Sequence, residues 1–89
     1  MRIDNVEIYS DQSNMAVIRH PDRSFPGLLV QGDTLHTLCA LAAEAESPGP
    51  YALDVLQDLH SKLLDMLTHY KSVLRQHQIE LPFQEAPDA

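Results

Sequence analysis

The chain has 89 residues, 44% hydrophobic and 21% charged, with thirteen acidic against six basic side chains for a formal net charge of −7. That length holds one small domain and that composition folds, while the charge repels phosphate backbones and anionic membranes, so neither nucleic acid nor a membrane surface is an expected partner. Cys39 is the one cysteine, which rules out an internal disulfide, and there is no apolar leader or run of about eighteen apolar residues, so the expected location is the cytoplasm.

In chain order, Ile3 to Ser10 alternates as a half-buried strand does, with Val6 and Ile8 on one face and Glu7 and Tyr9 on the other. The turn formers Asp11 to Asn14 follow, and Met15 to Arg19 resumes the alternation, which predicts a hairpin. A polar loop from Arg19 to Ser24, broken by Pro21, leads into Phe25-Pro26-Gly27. That tripeptide suits a type II turn with Gly27 at positive φ, and Leu28 to Gln31 then reads as a third strand. Short connections favour sequential neighbours, so the three strands are expected to form an antiparallel meander.

Asp33 stands where an N-cap would open a first helix, Thr34 to about Glu46, whose apolar stripe is Leu35, Leu38, Ala42 and Ala45, widened by Leu41. Ser47-Pro48-Gly49-Pro50 stops it. A second helix is expected from about Tyr51 to about Gln78, without Gly or Pro and roughly 40 Å long. Leu56, Leu59, Leu63, Met66, Tyr70 and Val73 follow steps of three and four, and Leu53, Leu67 and Leu74 extend that stripe sideways. Asp54, Asp58, Lys62 and Asp65 mark the solvent side, and Lys71 and Arg75 lie near the negative end of the helix dipole. Ile79, Leu81 and Phe83 are expected to pack back. The expectation is thus a single α+β domain over 1–83, three strands then an antiparallel helical hairpin (βββαα), with a disordered tail over 84–89.

The sequence carries no catalytic or metal-binding pattern. His60, His69 and His77 lack the i,i+3 or i,i+4 spacing that aims two imidazoles at one ion, so no metal and no cofactor are implied. His36 and Cys39 are spaced i,i+3, but a cysteine among Leu38, Ala40 and Leu41 reads as a small core hydrophobe. Gln31-Gly32-Asp33 has one glycine and an acid, a poor anion cradle, and Arg19, His20 and Arg23 read as a solvated loop. No catalytic residue is assigned, and the chain is not expected to be an enzyme.

The segment VEIYSDQSNMAVIRHPDRSFPGLLVQGDTLHTL, with the ending HYKSVLRQHQIELPF, resembles a family of short bacterial proteins of unknown function. That resemblance implies a compact α+β module and no catalytic residues. By class alone, a small, acidic, motif-poor chain also resembles immunity proteins, which neutralise a toxin by binding it. The leading expectation is therefore a protein-binding module, an immunity protein or inhibitor with a basic toxin as its partner. The alternative is a homodimeric accessory or structural protein paired through the second helix, whose apolar face is wider than the rest of the chain can cover. Glu44, Glu46, Asp54 and Asp58 converge in sequence around the Ser47 to Pro50 turn and are the expected partner-binding residues.

Overall fold

A computed structural model describes residues 1–85. Strands β1 (Glu7–Ser10), β2 (Ala16–Arg19) and β3 (Gly27–Leu29) precede helices α1 (Gly32–Glu46) and α2 (Ala52–Gln76). The sheet is antiparallel in the order β1-β2-β3, the expected meander, and the helices complete the expected βββαα order.

The first hairpin turns at Asn14, whose φ of 66° is one that Asn tolerates better than most residues, while the Met15 amide donates to the Gln12 carbonyl at 3.0 Å. Ile8 and Tyr9 lie on opposite faces of β1 as expected, and it is the Tyr9 face that turns inward. Ile8 pairs with Ile18 and Ser10 with Val17, so the register slips at Tyr9. Tyr9 packs against the core, whereas Ile8 is 59% exposed. Ile8 faces outward because it opposes Ile18, on the face of β2 away from the buried Val17, and the bulge then brings Ser10 opposite Val17 as well. Arg19 of the expected basic loop is engaged across the sheet by Glu7, its register partner.

The type II turn expected at Phe25-Pro26-Gly27 is not formed. No glycine among the described residues has positive φ, and Gly27 opposes Ile18 as the first residue of β3. The Tyr70 hydroxyl of α2 donates to the Pro26 carbonyl at 2.5 Å, so a helix side chain takes over the carbonyl. Burial pushes the Tyr70 phenol above its ordinary pKa of 10.0. The unfolded chain therefore ionises first, and the stability held by the neutral phenol is complete below about pH 10 and lost as pH rises through the folded-state value. Tyr70→Phe is expected to cost about 1–2 kcal/mol at neutral pH and to flatten this alkaline limb. Denaturant melts at pH 7 and above pH 10 check it, and an unchanged limb would assign the pH dependence to other groups.

α1 begins at Gly32, two residues earlier than expected. Gln31 is its N-cap without a side-chain cap, and Asp33 lies inside the first turn, where its carboxylate accepts from the neighbouring Thr34 amide at 2.8 Å. Asp33 thus serves an orphan amide and the positive helix end from within the helix, not from the capping position. No residue of α1 is buried; Leu38, Leu41, Ala42 and Ala45 are half-buried, and Leu35 is 54% exposed rather than part of the inner stripe.

α2 stops at Gln76 because the chain closes a Schellman motif. The Gln78 amide donates to the Arg75 carbonyl at 3.1 Å and the Ile79 amide to the Leu74 carbonyl at 2.9 Å, with Gln78 at φ 58°. This reversal returns Ile79 and Leu81 onto a core made of Val17, Tyr70, Val73 and Leu74. A left-handed glutamine carries a Cβ penalty that glycine lacks. Gln78→Gly is expected to raise stability by about 0.5–1 kcal/mol, and a lower denaturation midpoint would refute that strain. Beyond the motif, Glu85 lies 2.5 Å from Arg75 and 3.4 Å from Lys71. Of the tail expected over 84–89, residues 86–89 lie outside the described residues.

Candidate functional site

The most extensive surface feature follows from how little of α2 the rest of the chain covers. Its buried residues are Tyr70, Val73 and Leu74, all near the C-terminal end where the sheet and the returning Ile79 and Leu81 pack. Toward its N-terminal end the neighbour is α1, against which Val55, Leu59 and Met66 are half-buried. Leu53, Leu56, Leu63, Leu64 and Leu67 remain 40–65% exposed. At about 100° per residue they share one sector about 100° wide, clear of Asp54, Asp58, Lys62 and Asp65 on the far side.

Both helices are right-handed and run antiparallel, so each side of the hairpin can be assigned. Thr37 of α1 lines a cleft of about 290 Å³ with Lys62, Asp65 and Met66 of α2, which defines one side. Leu35 lies on the opposite sector of α1, on the same side as the five leucines of α2. The result is a leucine face on one side of a flat molecule measuring 46 × 41 × 20 Å.

The four carboxylates expected to bind a partner are all exposed, but helical geometry does not gather them. Glu44 lines a cleft of about 200 Å³ at the hairpin turn together with Pro48, Tyr51 and Val55. Asp54 and Asp58 lie one turn apart on the same side of the hairpin as Glu44, and Asp58 is 4.0 Å from Lys62. Glu46 is two residues from Glu44, about 200° around α1, and so sits on the leucine side. Proximity in sequence to one turn did not distinguish the two sides.

Cys39 is exposed, which corrects the expectation of a core cysteine. The inner sector of α1 passes through Leu38, Leu41 and Ala45, leaving Cys39 and the equally exposed His36 outside it. One polar pair had no signal in the sequence. Ser10 Oγ and His69 Nε2 are 3.2 Å apart across 59 residues of chain, brought together by the β1 bulge. The evident role of the pair is to tie the sheet to α2. His77 is likewise engaged, edge-on to Tyr9 with ring centroids 5.1 Å apart. Among the described residues no three His, Cys, Asp or Glu side chains are grouped to hold a metal, and no helix is long and apolar enough to cross a membrane.

A three-stranded meander backed by an antiparallel helical hairpin defines a small α+β protein. The chain belongs to a family of unknown function (DUF6959), whose model matches residues 1–83. No curated protein and no solved structure matches the chain.

Proposed function

We propose that this chain is a small cytoplasmic protein-binding module rather than an enzyme. The observation that carries this reading is the leucine face: five leucines on one sector of the longest helix stay exposed, while the buried apolar core among the described residues is Ala16, Val17, Tyr70, Val73 and Leu74. Scattered exposed leucines are ordinary, but an aligned set on a rigid helix is a surface fit for docking.

In its most concrete form the module is an immunity protein or inhibitor that neutralises a basic toxin by direct contact. The net charge of −7 supports a basic partner, and Glu44, Asp54 and Asp58 on one side of the hairpin supply the field that would guide it. The test is co-expression with the product of an adjacent toxin-like gene. Rescue of growth together with a stoichiometric complex would support the inhibitor reading, and an active toxin in the presence of excess protein would end it. The second reading, a homodimeric accessory protein without a toxin partner, is favoured by the spacing of the leucines themselves.

A further inference from the structure

We propose that the leucine face is the contact between two copies of this chain, whose α2 helices pair antiparallel about a two-fold axis at His60 to close a four-helix bundle. This rests on reading the face as a docking surface and names its occupant.

Two seams run along α2. Val55, Leu59, Met66, His69 and Val73, with the exposed Lys62 at their edge, line the side that meets α1 and the sheet. Leu53, Leu56, His60, Leu63 and Leu67 repeat the three-and-four spacing on the open side, and Tyr70 and Leu74 continue it to where the sheet begins. Such spacing keeps a stripe facing a neighbouring helix over several turns. A helix with two seams belongs inside a bundle, one seam to each neighbour, and this chain supplies a helix for one of them.

The exposed area agrees. The accessible surface is 6,958 Å², against about 5,200 Å² expected for a folded monomer of 10.0 kDa. The radius of gyration is 15.7 Å, where about 12 Å is expected for this length. The extended residues 1–6 account for part of the excess, and the remainder is on the order of the roughly 800 Å² that each partner gives to a stable interface.

A second copy is the occupant because four of the five exposed leucines are placed symmetrically about His60, the fifth, Leu63, falling opposite Gln57. Leu53 and Leu67 lie seven residues to either side of it, and Leu56 and Leu64 four residues. Antiparallel pairing therefore sets Leu53 against Leu67 of the second copy and Leu56 against Leu64, the self-complementarity that a two-fold contact requires. Parallel pairing would bring both sheets to the same end. Most of the shared charge of −7 is kept off the contact: the acids of α2 lie on the far side, Glu46 of α1 is the one carboxylate of the two helices on the leucine side, and Lys71 at the margin is already paired with Glu85.

Sedimentation equilibrium of the full chain up to about 100 μM should give twice the chain mass. Leu63→Glu should weaken the dimer roughly 100-fold with helical circular dichroism retained, since that side chain is already exposed within one copy. Leu64→Gln, a milder change, should weaken it less, and His60→Leu should tighten it. In a Cys39→Ser background, His60→Cys should form a disulfide-linked dimer with oxidised glutathione, whereas Asp58→Cys should not. A monomer throughout this range, or a dimer indifferent to both Leu63→Glu and Leu64→Gln, would overturn the proposal. If the chain is monomeric but Leu63→Glu abolishes binding to a foreign protein, self-pairing fails and the docking surface stands. If it is monomeric and Leu63→Glu alters no binding, both fail.

Discussion

Leu74→Ala should lower stability by about 2–5 kcal/mol, the largest single effect expected from one side chain here. Leu74 has no exposed surface, and it does three things at one place. It belongs to the cluster of Val17, Tyr70 and Val73; its carbonyl accepts from the Ile79 amide to close the Schellman motif; and its side chain stands opposite the apolar residue that the motif brings back. With five buried apolar residues, the chain has few neighbours able to move into the vacated space, so the cavity term should be close to fully expressed. A loss of this size approaches the whole stability of a small domain. Denaturant melts at one fixed protein concentration, which holds any contribution from association constant, should show it. A loss under about 1 kcal/mol would mean that the site collapses around the alanine and that the cluster is not where the fold's stability resides.

Reversing charge at the hairpin end should act on association rate more than on dissociation. Glu44→Lys combined with Asp54→Lys changes two acids that share one side of the hairpin, away from the leucine face, and both are exposed. Against a basic partner at low salt, the association rate should fall roughly 10- to 100-fold and its salt dependence should flatten, because long-range charge governs encounter rather than the settled contact. Glu46→Lys with Asp54→Lys places the two changes on opposite sides and should have a smaller effect. Stopped-flow association at two ionic strengths, with circular dichroism to verify the fold, separates these outcomes. An unchanged rate in the first pair would remove this side of the hairpin as the surface that meets a basic partner.

Much of the fold was legible from local chemistry. The turn formers at Asp11 to Asn14, the breaker run Ser47 to Pro50 and the three-and-four spacing from Leu56 to Val73 each act over a few residues, so they mark the elements and their order without reference to anything distant. The leucine face was partly legible too. Leu53 and Leu67 lay at the edge of the stripe in the sequence, but whether that edge points inward depends on where α1 and the sheet sit, and no periodicity encodes that.

What the sequence determined by itself was the βββαα order, the α+β class, the acidic charge and the excess of apolar surface on α2, because each follows from residue type and short-range spacing. Only the tertiary structure decided which side of each element is inner. The pairing of Ile8 with Ile18, on the face away from the buried Val17, turned Ile8 outward, and the hydrogen bond from Tyr70 helped make Pro26-Gly27 the entry to a strand instead of a turn. Leu35 and Cys39 were left outside because α1 turns a different sector toward α2. All of these are set by contacts between residues far apart in the chain, where a rotation of one residue's worth changes which side chains are buried while leaving the local pattern intact.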